Sequence, residues 1–222
     1  TIERCGVFAP IVLSRAKVAA GRAKRGIKLH KYLEPEKTEY HYNMPCPLNG
    51  GFGKETVALR RAIAMSYSID DEIRVIRKNQ AIKAESPIPP GVVGYDPSYR
   101  NATTYDPVLA NKLLDYFGYK RGADGYRTFP DGQPLLVPLW STPEALTRAY
   151  DALCHRALQV IGIRLPTQTR KCADLSQKPH APPPSSNVPP WTPIRAAADN
   201  FLQLAYGPNI GEANYGCYKS EA

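Results

Sequence analysis

At 222 residues, with 43% hydrophobic and 9% aromatic content, the chain is long enough for one large domain or two small ones with a real core. No run approaches the roughly 18 consecutive apolar residues of a membrane span, and the opening "TIERCGVFAP" lacks the n-region, h-region and cleavage site of an export signal. The formal charge is +9, and residues 1–37 hold nine Lys/Arg against three Glu, a local excess of six. That cluster, "LSRAKVAAGRAKRGIKLHK", interleaves neither aromatics nor a docking motif, so it reads as a solvated basic face and not as a nucleic-acid surface.

The first helical pattern is "ETVALRRAIAMSY", which places Ala58, Leu59, Ala62, Ile63, Ser66 and Tyr67 on one face and Arg60 and Arg61 off it. A second follows in "SIDDEIRVIRKNQ", with Ile69, Ile73 and Ile76 at helical spacing, acids near its start, bases toward its end and Asn79 suited to a left-handed stop. The stretch "IPPGVVGYDPSYR" at 88–100 is then a rigid Pro/Gly loop. Beyond it, Asp106 predicts an N-cap with Pro107 at the first helical position, a core face of Leu109, Leu113 and Phe117, and Gly118 as terminator.

Two Asp-Gly turns, Asp124-Gly125 and Asp131-Gly132, bracket "YRTF" and predict a hairpin feeding "PLLVPLW", where Pro138 restricts the strand to an edge. Another helix starts at Thr142-Pro143, turns Leu146, Tyr150, Leu153, Ala157 and Val160 inward, and ends at Gly162. "IRLPTQT" reads as a strand. Helices alternating with short strands imply an α/β domain. Residues 172–198 carry seven prolines and no periodicity, so they read as linker or disorder, and packing resumes with Phe201, Leu202, Leu204 and Tyr206.

Candidate chemistry is sparse. Five scattered cysteines show no metal-ligand spacing, so neither a structural zinc nor any other metal site is expected. Cys154 and His155, adjacent on a helix, point in different directions and do not form a nucleophile and base pair. Asp96, Asp106 and Asp131 each precede Pro or Gly and read as turn and cap residues. The chain lacks the hydrolase, zincin, phosphate-loop and dinucleotide motifs, so no enzyme and no cofactor is expected.

The ordered motifs "VALRRAIAMSYSIDDEI", "QAIKAESPIPPGVVGYDP", "YDPVLANKLLDYFGYKRGADGYRTFPDGQPL" and "STPEALTRAYDALCHRALQVIGIRL", with "DNF" at 199–201, resemble the central part of bacterial extracellular solute-binding proteins of family 5. These are periplasmic peptide-, dipeptide- and nickel-type receptors of ABC importers. The resemblance covers residues 24–168 and 199–221. It implies an α/β fold, one incomplete lobe of a type II periplasmic-binding protein, in a partial or degraded copy. It further implies a periplasmic location, a peptide or small solute as ligand, a membrane permease as partner, no nucleic acid and a monomeric state.

Under this resemblance residues 1–40 form a basic, partly atypical segment, 41–170 the solute-binding lobe, 171–198 an atypical Pro-rich linker, and 199–222 a final piece of the lobe. "YLEPEKTEYHYNM" resembles a family strand that passes near the inter-lobe hinge and usually ends in Phe-Asn, with Tyr42-Asn43-Met44 as the matching segment. Counting back from Asp199, Trp191 matches the family's tryptophan and is the one candidate for ligand contact. Ile194 stands where peptide receptors place an aspartate for the ligand's ammonium group. A locally shifted reading frame between Cys172 and Ala198 would account for that departure. The competing implication is a non-transporting interaction or structural module that retains the lobe.

Overall fold

A computed structural model describes residues 33, 35, 37, 40–42, 44–141, 143–169, 185–187, 198–210, 213–214 and 216–219. The chain divides into two units, Thr1–Glu34 and Pro35–Ala222, and every element below belongs to the second. In order these are β1 (Tyr40–Tyr42), α1 (Lys54–Ser66), α2 (Ile69–Asp71), α3 (Pro107–Tyr116), β2 (Leu139–Ser141), α4 (Ala145–Val160), β3 (Thr167–Thr169), β4 (Ser185–Asn187) and α5 (Ala198–Leu202).

Helix α1 buries Ala58, Leu59, Ala62 and Ser66, four of the six residues that its periodicity places on one face. It packs on α3, whose buried residues are Ala110 and Leu114. Leu109, expected in the core, is exposed, while Leu113 and Phe117 lie at the core margin. The inward face of α3 is therefore rotated by about one residue from the expected one. Where two helices cross, small side chains let the backbones approach, and Ala62 and Ala110 are both fully buried. The α3 termini follow expectation: Asp106 accepts from the Leu109 amide at 2.8 Å, Pro107 opens the helix and Gly118 takes φ +82°.

After α1, Ser68 caps α2 by accepting from the Asp71 amide at 3.2 Å. The helix then widens into a π-turn over Glu72–Ile76, with Arg77 N donating to Glu72 O at 2.9 Å. It stops where Lys78 and Asn79 both adopt positive φ, the role predicted for Asn79. Helix α4 corrects a second expectation: Leu146 and Val160 are exposed, and Tyr150, Ala157 and Leu158 are buried.

Both Asp-Gly turns form, with Gly125 and Gly132 at positive φ and bridges pairing Arg121 with Arg127 and Thr128 with Pro134. Arg127, which the sequence does not single out, is 3% exposed and gathers the ends of three segments. Its guanidinium donates to the carbonyls of Ile161 (2.8 Å) and Tyr119, to Asn111 Oδ1 (2.9 Å), and to Asp115 Oδ1 (2.6 Å). Carbonyls left over at helix ends thus find a charged donor. Tyr119 O–H donates to Glu55 O at 3.0 Å, and burial pushes its hydroxyl pKa up to about 12.

Among the described residues the strands form a four-stranded sheet in the order β1-β4-β2-β3. β2 and β3 run parallel, β4 runs parallel to β2, and β1 runs antiparallel to β4. Two expectations change here. β2 lies inside the sheet and not at an edge. Val137 and Leu139 donate to Arg164 O and Pro166 O, so Pro138 falls at an alternate position that owes no hydrogen bond to this neighbour. Within the Pro-rich stretch read as linker, Ser185–Asn187 form β4 between two other strands. Those three residues contain no proline, so each keeps an amide for the ladder.

Candidate ligand-facing edge of the sheet

In open α/β sheets a ligand binds outside the carboxyl ends of the parallel strands. β2, β4 and β3 share one direction, so Ser141, Asn187 and Thr169 end at the same edge, with Tyr40 of the antiparallel β1 paired to Asn187 there. This edge is the candidate site. The chain leaves β4 at Asn187, four residues before Trp191, and both Trp191 and Ile194 lie outside the described residues.

Described polar groups at and behind this edge come from α4 and the π-turn. Ser141, 3% exposed, donates its hydroxyl to Asp151 of α4. One helical turn on, His155 Nε2 lies 2.8 Å from Thr167 Oγ1 at the start of β3. Tyr150 is buried, which raises its hydroxyl pKa, and the Arg77 guanidinium stands 5.5 Å from its ring centroid. Glu72 accepts from Tyr67 O–H at 2.8 Å and from Arg77 Nε at 3.3 Å. Each of these two carboxylates thus accepts bonds that tie α4 and the π-turn to their neighbours.

Sequence reasoning missed Ser141 and Asp151. The signal was a hydroxyl ending a strand, followed by a carboxylate on the inward face of the next helix.

The Pro/Gly loop is built as its composition implies. Pro89 and Val92 are buried, Gly91 and Gly94 take φ +83° and +93°, and Tyr95 N donates to Val92 O at 3.1 Å. A Cβ on Gly94 would come within 2.9 Å of Ala198 Cβ, so the loop packs directly on the start of α5. Asp96 accepts from the Ser98 amide (2.8 Å) and hydroxyl (2.6 Å), and these bonds hold its carboxyl below the usual range. Asp131 accepts from Gln133 N at 3.0 Å. With the Asp106 cap, all three aspartates serve as turn and cap residues, as expected.

A shallow apolar recess lies elsewhere, lined by Phe52, Lys54, Val57, Ala58, Arg61, Leu113 and Phe117 of α1, α3 and their flanks. It gathers no carboxylate or histidine. Among the described residues Cys46 and Cys217 are free thiols, and no three His, Cys, Asp or Glu side chains gather as metal ligands.

Comparison with known proteins accounts for this arrangement. The chain is 28% identical over 145 residues to di/tripeptide-binding protein 2 of Pseudomonas aeruginosa (strain UCBPP-PA14), a match covering 65% of this chain and 25% of that protein. Among solved structures it resembles the oligopeptide-binding protein AppA of Bacillus subtilis in complex with a nonapeptide, with TM-score 0.73 and 18% identity over 91% of this chain and 41% of that one. It also resembles NikZ of Campylobacter jejuni in complex with Ni(L-His), with TM-score 0.70 and 13% identity over 92% of this chain and 44% of that one. The fold is that of one lobe of a type II periplasmic-binding protein, and the chain spans a quarter of the curated relative's length and about two fifths of the solved structures. A family model matches residues 12–212, and the chain belongs to the bacterial extracellular solute-binding proteins, family 5.

Proposed function

We propose that the chain provides a substrate-binding lobe for an ABC importer of peptides or similar solutes, working outside the cytoplasmic membrane and handing its ligand to a membrane permease. The observation that carries this reading is the family match over residues 12–212, on a sheet whose parallel strands end at one edge. An extended ligand would lie across that edge, held by backbone groups of the strand ends and by side chains from the segments that leave them. Trp191, reached four residues after Asn187, is our candidate for stacking or covering the ligand. Binding of this kind involves no bond-making step, so the proposed role is non-catalytic and needs no cofactor.

A second reading, an interaction module that keeps the lobe without transport, is favoured by Ile194. Its side chain cannot accept a hydrogen bond from a ligand ammonium group, where the receptor pattern calls for aspartate. Thermal unfolding of the purified chain with and without a mixed di- to hexapeptide library separates the two. A cooperative transition that moves up with peptide supports the receptor reading, and a transition insensitive to peptide supports the module.

A further inference from the structure

The connection from β1 to α1 contains a polar group that the described protein atoms do not serve. Asn49 is 1% exposed, and among the described residues neither its Nδ2 nor its Oδ1 meets a hydrogen-bonding group. Its backbone is well held: Asn49 O accepts from Arg60 Nη1 at 2.8 Å, Gly50 N donates to Cys46 O at 2.8 Å, and Gly51 N donates to Met44 O at 2.8 Å. Met44 N in turn donates to Gly216 O at 2.8 Å, so the loop also ties the C-terminal segment. Burying a carboxamide with both ends unserved forfeits the hydration of both groups with no compensating bond, and native proteins rarely tolerate it.

The neighbouring charges narrow what serves it. Arg60 is partly buried, which lowers its pKa, and among the described residues no carboxylate lies within ion-pair distance. A metal cation would suit Oδ1 but would be repelled by the guanidinium. An anion would suit Nδ2 and Arg60 but would face Oδ1 with like charge. Water donates to one end and accepts from the other, which neither kind of ion can do.

We propose that the Met44–Gly51 loop encloses an internal water site in which Asn49 Nδ2 donates to bound water and Oδ1 accepts from it, beside the Arg60 guanidinium. The loop that joins β1, α1 and the Gly216 segment then closes over solvent and not over a dry core.

Asn49→Leu tests this, because leucine keeps the approximate volume and removes both polar ends. Water-oxygen magnetic relaxation dispersion on the 222-residue chain is expected to lose long-lived water in the variant, and urea unfolding to show the folding equilibrium constant reduced about tenfold. An unchanged count of long-lived water together with increased stability would overturn the proposal, since a dry, unserved carboxamide is better replaced by leucine. Should the variant not fold, a high-resolution crystal structure of the wild-type chain decides. Solvent density within hydrogen-bond distance of both Asn49 ends supports the site, and a protein partner or a dry surround there refutes it.

Discussion

The segment from Pro107 to Leu165 and the sheet joined by β4 are organised on different principles. In the first, each turn and terminus is written beside the element that it ends: Asp106 and Pro107 open α3, Gly118 closes it, Gly125 and Gly132 make the turns, and Gly162 ends α4. In the second, Ser185–Asn187 hold a central place through partners on β1 and β2 that lie far away in sequence. A region specified locally resists damage to distant segments, whereas a region specified by pairing depends on every strand in it.

The largest expected effect strikes a long-range tie of the helical segment. Arg127→Met removes the donors serving Tyr119 O and Ile161 O and leaves those carbonyls buried, so urea unfolding should show a loss of about 3 kcal/mol or more. Gly162→Ala follows. A Cβ there would lie 2.9 Å from Gly125 O at φ +75°, and the same measurement should show a loss of about 2 kcal/mol. Asp106→Ala, a purely local change, should cost about 1 kcal/mol through the lost cap, seen as a lower melting temperature.

Titration probes the same region more gently. Burial raises the Tyr119 hydroxyl from an ordinary 10.0 to about 12, so the unfolded chain ionises first as pH rises. Its contribution is complete below pH 10 and lost as pH climbs toward 12, and Tyr119→Phe should flatten unfolding free energy across that window. The smallest effect on the helical segment should come from the sheet. Ser186→Pro removes an amide from the strand registered between His41 and Trp140, yet amide exchange across α3 should keep its protection while β1 loses it. Equal loss of protection in both would break the contrast drawn above.

These differences match what could be read from the residues alone. Helix ends and Asp-Gly turns were readable because Asp, Pro and Gly act on their own backbone. Inward faces were read less well. Periodicity favours large apolar residues such as Leu109 and Leu146, while the crossing of α1 and α3 rewards alanines, and Leu146 and Val160 end in solvent. β4 was unreadable because nothing in "SSN" announces a strand; its neighbours impose one. Of the site, the strand leading to Ser141 was legible but not its place inside the sheet, Asp151 was not, and Trp191 falls outside the described residues.

The near-contact of Gly94 with Ala198 couples two stretches of the gene that otherwise share no signal. With 2.9 Å between a hypothetical Cβ at Gly94 and the methyl of Ala198, substitutions at the two sites are not independent. Drift toward a larger residue at Ala198 narrows what Gly94 can become, and mutational order decides which variants stay reachable. A library that randomises both positions together should return mainly glycine at 94, whose φ of +93° strains any side chain, and the rare exceptions only beside the smallest residues at 198.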